Sequence, residues 1–332
     1  MVYSINKMDL ENEHIYSFNG YLKESFPSQV MMDIAEVCNL GCIHCAHPKF
    51  KKSDHYAKSM LDPELNRKMV DEVATHGQGL TKYIRYTSNG EPLVHPKSYE
   101  MINYAVDHSK TKVTLTTNGT LLNEKKMNRL LDSGIHMIDV SLDAFTNETY
   151  KIIRVGGDLV ITKKNVLRMQ ELIQINNYNT KLVVSFIEQK QNSHEIKDFY
   201  NFWKNEIGVQ DVVIRRLHTN AGVNLDLGHQ KGSKRKPCLY PWERIILNAK
   251  GKLGFCPTDW FGQAVICDYK ENTIKDIWNS DFYKILRNQH KCNDFKDNLF
   301  CKGCPDWANT SWPKEEKKAY ADLVEKILYE EK

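Results

Sequence analysis

Cys38-Asn39-Leu40-Gly41-Cys42-Ile43-His44-Cys45 places three thiols within eight residues. The run directly follows Val30-Met31-Met32-Asp33-Ile34, an apolar stretch that reads as a strand. Zinc knuckles pair their cysteines and need a fourth ligand. Three thiolates with no fourth ligand close by suit a [4Fe–4S] cluster with one iron left open to a further molecule.

Outward from this run, strand-type and helix-type segments alternate. Tyr83 to Thr87, Lys112 to Thr117, Met137 to Leu142, Leu182 to Ile187 and Asp211 to Leu217 read as strands. Between them, Pro63 to His76, Lys97 to Asp107, Asn123 to Leu131, Ile161 to Ile175 and His194 to Glu206 read as helices, the first with Asp62 as N-cap and Pro63 at its first position. About six strand–helix units imply an α/β fold with a parallel sheet and crossover helices. The strands are apolar rather than cleanly alternating, as expected when both faces are covered. The organisation that follows is a lead-in over 1–29, a barrel-like domain over 30–217, a linker over 218–237, a small cysteine-bearing domain over 238–310 and a terminal helix over 311–332. The linker is rich in Gly, Pro, Lys and Arg. Its Ser233-Lys234-Arg235-Lys236 run reads as a solvated surface, or as a basic lip for an anionic substrate. Beyond Cys238, Ile245 to Cys256 reads as a hairpin turning at Lys250-Gly251, Thr273 to Asn288 as an amphipathic helix, and Pro313 to Tyr329 as the last helix.

The composition sets the frame. The chain has 332 residues, 41% hydrophobic and 27% charged, which is ordinary for a globular protein and excludes a disordered or collagen-like chain. A net charge of +4 is too small to argue for nucleic acid. No apolar run approaches the roughly 20 residues of a membrane span, and the first residues lack a signal-peptide core, so a cytoplasmic protein is expected. Nine cysteines in such a chain read as metal ligands or reactive groups rather than disulfides. After Cys45 none occurs until Cys238, followed by Cys256, Cys267, Cys292, Cys301 and Cys304. Two groups of thiols predict two sites.

Turns at the expected strand ends add to the first group. Ser88-Asn89-Gly90-Glu91-Pro92 follows the second strand, Thr116-Thr117-Asn118-Gly119 the third, and Ser141-Leu142-Asp143-Ala144 closes the fourth, with Arg154 and Gly156 beyond it. Over roughly residues 28–217 this ordered set resembles the radical S-adenosylmethionine (radical SAM) superfamily. The resemblance implies a partial (β/α)6 TIM-like barrel. Cys38, Cys42 and Cys45 are then the cluster ligands, and Asn89, Gly90, Glu91, Thr117, Asn118, Ser141 and Arg154 contact S-adenosylmethionine. Glu91 would take its amino group, Ser141 a polar contact and Arg154 its carboxylate. Asn89 stands where the superfamily usually has a first glycine. The implied chemistry is reductive cleavage of S-adenosylmethionine to a 5′-deoxyadenosyl radical that abstracts a substrate hydrogen.

Ile274-Lys275-Asp276-Ile277-Trp278-Asn279-Ser280, with the hairpin and the closing Cys301-x2-Cys304, resembles the SPASM or twitch domain of these enzymes. That resemblance implies a small α+β domain whose Cys238, Cys256, Cys301 and Cys304 hold an auxiliary [4Fe–4S] cluster, two clusters in all. A single C-x2-C pair matches the shorter twitch form, with spacing close to the 2-deoxy-scyllo-inosamine dehydrogenase type. The implied activity is two-electron oxidation of a secondary alcohol in a sugar or aminocyclitol, the auxiliary cluster taking an electron. Arg215 and Arg216 end the last strand, and since successive side chains alternate in face, one of them faces the interior and can anchor a substrate oxygen. Cys267 and Cys292 are spare thiols. A radical epimerase would use one of them as hydrogen donor if it faced the barrel mouth. A peptide-modifying maturase is the third reading; the 29-residue lead-in is short for its leader-binding module. Expected partners are a small-molecule or peptide substrate and a reductant such as flavodoxin or ferredoxin, with no nucleic acid and no membrane.

Overall fold

The computed structural model describes residues 25–87, 89–228, 235–309 and 320–329. Most of the lead-in, Ser88, residues 229–234 of the linker and the start of the expected last helix lie outside the described residues. Nine strands are present among them: β1 Gln29–Met32, β2 Tyr83–Tyr86, β3 Lys112–Thr117, β4 Met137–Ser141, β5 Lys181–Glu188, β6 Asp211–Arg216, β7 Arg244–Leu247, β8 Lys252–Gly254 and β9 Val265–Asp268. They form one sheet in the order β6-β5-β4-β3-β2-β1-β7-β8-β9. β1 to β6 are parallel neighbours in chain order, each pair joined through helical crossovers. This is the parallel α/β sheet with crossover helices that the alternation predicts, and the strand order of the partial barrel that the resemblance implies.

Local chemistry fixes the crossover helices. Asp62 accepts from the Glu64 N–H at 3.0 Å with Pro63 at the first position, and the helix runs Pro63–His76. Asn123, Thr146 and Asp158 cap three later helices in the same way. The expected helix at 194–206 changes character along its length, from a tight turn at Ser193–Glu195 through α over Ile196–Tyr200 to a π-type stretch at Asn201–Glu206. The single helix expected over 273–288 is two, Ile274–Trp278 and Asp281–Cys292, because Asn279 ends the first and Ser280 restarts the second.

The inner and outer faces of the barrel pack differently. Outward residues such as Ile84, Leu115, Ile138 and Val184 join Met69, Ile102 and Leu130 from the helices in one large core. At the end of the barrel where the strands begin, inward Tyr83, Met137, Val183 and Val213 pack on Val324, Ile327 and Leu328 of the helix Tyr320–Tyr329. That helix closes the bottom of the barrel.

The cysteine-bearing part continues the same sheet. β7 pairs parallel with β1, Gln29 opposite Arg244 and Met32 opposite Leu247, and the antiparallel hairpin β7–β8 then leads to β9. Further bonds cross the junction: Asp306 accepts from the Thr219 and Ala221 N–H groups at 2.8 Å each, and the Tyr269 hydroxyl donates to Glu72 at 2.7 Å. The linker is correspondingly not all solvated: Arg235 donates to the Cys301 carbonyl at 2.6 Å and lies over the Phe295 ring, because its charge finds carbonyl acceptors and an aromatic face there. No helix among the described residues is long and apolar enough to cross a membrane.

Candidate active site

The turn after β2 approaches the backbone before the first cysteine as closely as a glycine permits. A Cβ on Gly90 would lie 2.2 Å from the Val37 carbonyl oxygen and 2.6 Å from that of Ala35. The next residue bonds that backbone, Glu91 N–H to the Val37 carbonyl at 2.9 Å. The Glu91 carboxylate is buried and holds the turn after β3: one oxygen accepts from the Thr117 hydroxyl at 2.6 Å, the other from the Asn118 N–H at 2.8 Å. Burial pushes its carboxyl up, and the Asn118, Thr117 and Leu93 donors only partly offset that. Asn118 then reaches Asn39 in the cysteine loop at 2.9 Å. Asn89 is placed elsewhere: its N–H donates to Asp33 at 3.2 Å and its side-chain amide to the Asp259 carbonyl at 3.3 Å, so it ties the turn to the cysteine-bearing part instead of facing the cavity.

A cavity of about 320 Å³ opens at the carboxyl ends of the barrel strands, lined by Cys38, Cys42 and Cys45 on one side and by Gly90, Glu91, Thr117, Asn118, Ser141 and Arg154 on others. Three expected ligands and six of the seven expected cofactor contacts thus share one cavity. The sulfurs are prepared for a cluster. The Leu40 N–H points to Cys38 Sγ at 3.5 Å and the His47 N–H to Cys45 Sγ at 3.4 Å, the type of contact that tunes iron–sulfur ligands. Burial pushes the Cys38 thiol up to about 11 and Cys45 to about 12. Such thiols stay protonated on their own and become thiolates with a cation beside them.

Behind Cys42 lies a buried ion pair, Arg154 with Asp143. Asp143 sits in the left-handed region, φ +61°, and its carboxylate also accepts from the Ile187 N–H at 2.7 Å. Burial pushes Asp143 up, but Arg154 and then His44 outweigh it and hold the carboxyl below its ordinary value. His44 is more than a packing residue: it lies 3.5 Å from Asp143, whose charge pulls against the burial that holds the ring down to about 4. Arg154 is therefore paired internally as well as lining the cavity.

Two arginines reach the cavity from deeper in the barrel, Arg85 of β2 and Arg215 of β6. Arg216 points to the other face and is exposed. Alternation on β6 foretold one interior arginine. The same signal marks Arg85, a lone charge between Tyr83 and Thr87 on an apolar strand, which the motif search passes over.

Cys238, Cys256, Cys301 and Cys304 line a second cavity with Arg235, Phe255 and His290. Four thiols around one cavity are a donor set that an iron–sulfur cluster takes. Burial pushes Cys301 to about 12 and Cys304 to about 11. Tyr240 and Thr258 line both cavities, and the Thr258 hydroxyl lies 3.1 Å from Cys256 Sγ. Cys267 on β9, which packs against the large core, and Cys292 at the end of the helix Asp281–Cys292 line neither.

A barrel that gathers three closely spaced thiols with glycine and carboxylate turns at its strand ends defines a radical-generating iron–sulfur enzyme. The family model of the radical SAM superfamily matches residues 32–202, and that of the SPASM iron–sulfur cluster-binding domain matches 238–305. The chain belongs to the radical SAM superfamily. As such it carries a [4Fe–4S] cluster and uses S-adenosylmethionine, and its SPASM part carries further iron–sulfur chemistry. It is 31% identical to the AdoMet-dependent heme synthase of Methanosarcina barkeri over 84% of this chain and 91% of that protein. It is 35% identical to a probable GTP 3′,8-cyclase of Methanococcus maripaludis, over 42% of this chain and only 45% of the relative's length. Among solved structures, BtrN in complex with AdoMet and 2-DOIA aligns over 88% of this chain and 96% of its own, with TM-score 0.57 and 17% identity. Streptococcus suis SuiB bound to precursor peptide SuiA aligns over 97% and 81%, with TM-score 0.65 and 15% identity. At such identities the two structures speak for the fold alone.

Proposed function

We propose that the protein is a radical SAM dehydrogenase that oxidises a secondary alcohol of a sugar or aminocyclitol to the ketone. The observation that carries this reading is the wall shared by the two cavities, Tyr240 and Thr258, which sets the auxiliary site next to the cofactor cavity. When bound, S-adenosylmethionine and the first cluster supply a 5′-deoxyadenosyl radical that removes one hydrogen atom, and the auxiliary cluster supplies a one-electron acceptor. The chain does the rest. Cys38, Cys42 and Cys45 would hold the first cluster. Gly90 lets the cofactor turn seat against the cysteine loop, and Glu91 pins Thr117 and Asn118 at the cavity wall. His218 lines the cavity with Nδ1 lacking a hydrogen-bond partner. Burial, first of all, holds its pKa down, so a neutral ring is available to take the proton that leaves the alcohol. The place of Cys267 and Cys292, away from both cavities, speaks against an epimerase that quenches a radical with either thiol.

Full-length similarity to the Methanosarcina enzyme favours a second reading, heme synthesis with AdoMet. The deciding experiment incubates the reduced, reconstituted enzyme with S-adenosylmethionine and panels of aminocyclitols, sugars and iron porphyrins. We expect a product two mass units below its alcohol. Cys301→Ala with Cys304→Ala should abolish that product while uncoupled cofactor cleavage persists, and Cys267→Ala and Cys292→Ala should still turn over. Solvent deuterium gained at carbon with no loss of two mass units, or formation of heme, would defeat the dehydrogenase reading.

A further inference from the structure

The floor of the barrel cavity holds more positive charge than the protein neutralises there. Arg85 and Arg215 approach one carboxylate, Asp139 of β4, at 3.9 and 3.4 Å. Asp139 is fully buried and already accepts hydrogen bonds from the Ser185 and Tyr320 hydroxyls. Both guanidiniums lie over the Tyr320 ring, at 4.3 and 4.5 Å from its centroid, which holds them in place. Arg85 directs two nitrogens to the Thr116 hydroxyl, at 3.1 and 2.8 Å. Arg215 is less engaged: its Nε is buried and has no hydrogen-bond partner. The Arg215 side chain is 18% exposed, on the cavity wall, where an anion can reach it. A guanidinium presents a planar fork that matches a carboxylate.

We propose that the substrate binds as a carboxylate, seated in the barrel floor on Arg215 with Arg85 beside it. Only the statement that this carboxylate belongs to the molecule being oxidised rests on the dehydrogenase reading; the anion site itself does not. The carboxylate of S-adenosylmethionine has a separate candidate partner in Arg154, which stands beside Cys42.

The test uses reconstituted holoenzyme saturated with S-adenosylmethionine and three probes followed by ligand-observed NMR: lactate, its neutral counterpart lactamide, and inorganic phosphate. Lactate should bind at least about tenfold more tightly than lactamide, and Arg215→Gln should remove at least about tenfold of the lactate affinity while cofactor affinity stays unchanged. Arg215→Lys, which keeps the charge and loses the fork, should recover part of it. Should Arg215→Gln not fold, Arg85→Gln is the second variant, and it should also weaken lactate. Equal binding of lactate and lactamide, or unaltered lactate affinity in the folded variant, overturns the proposal. A matching fall in cofactor affinity would hand Arg215 to S-adenosylmethionine, and phosphate binding in preference to lactate would make the substrate a phosphate; either overturns the carboxylate. No readout depends on turnover, so a failed oxidation leaves this result standing on its own.

Discussion

Single residues decide how the cofactor cavity is held. Glu91 is the clearest case, since its two oxygens fasten a neighbouring turn that itself contacts the cysteine loop. Glu91→Ala should leave iron content unchanged and weaken S-adenosylmethionine binding about 10- to 150-fold, the equivalent of a lost charge-assisted hydrogen bond of about 1.5–3 kcal/mol; equilibrium binding measures it. Asp143 makes a second case. Its backbone is left-handed, which asparagine tolerates, so Asp143→Asn removes charge without forcing the chain. The folded carboxyl lies below its ordinary value, so its contribution is full above the unfolded pKa of about 3.9 and is lost as pH falls through the lower folded value. At neutral pH the variant should be less stable by about 3–5 kcal/mol, because Arg154 is left buried and unpaired. Denaturant titrations from pH 7 downward should show the two proteins converging below about pH 4. Glu91 was legible from its place in a turn after a strand. Asp143 with Arg154 was legible only as two separate motif positions, since an ion pair between residues on different segments depends on the fold that brings them together.

At the scale of elements, periodicity carried most of the information. The helix Pro63–His76 and the strand Lys112–Thr117 match their expected bounds, because the first has a capping Asp and Pro and the second is rich in β-branched residues. The break at Asn279-Ser280 was not visible, since apolar spacing continues through it. Nor was the destination of the terminal helix. Its apolar stripe was plain, but nothing local says that it closes the barrel. Leu328→Ala on that stripe should cost about 2–5 kcal/mol, as for other buried leucines. The loss should be read in denaturant midpoints, with cofactor affinity preserved, because Leu328 packs at the strand beginnings and the cofactor turns lie at the strand ends.

Over the whole molecule, two groups of thiols are carried on the loops and short helices of one continuous sheet. Anaerobically reconstituted protein should hold about eight irons and eight sulfides. Replacing Cys38, Cys42 and Cys45 together by Ala should leave about four irons and abolish cofactor cleavage, as iron analysis and product chromatography will show. Eight irons in that triple variant would contradict the assignment.

The pairing of β7 with β1 also bears on how such enzymes can be recombined. β1 is the strand from which the cysteine loop rises, and its free side is covered by Arg244–Leu247. A graft that exchanges the auxiliary part between relatives is then a matter of matching a strand edge, side chain by side chain, instead of trimming a linker. Cutting the chain ahead of β7 would leave β1 a bare edge, open to pairing with another copy. Modules that look separable along the chain are, in space, two ends of a single woven surface.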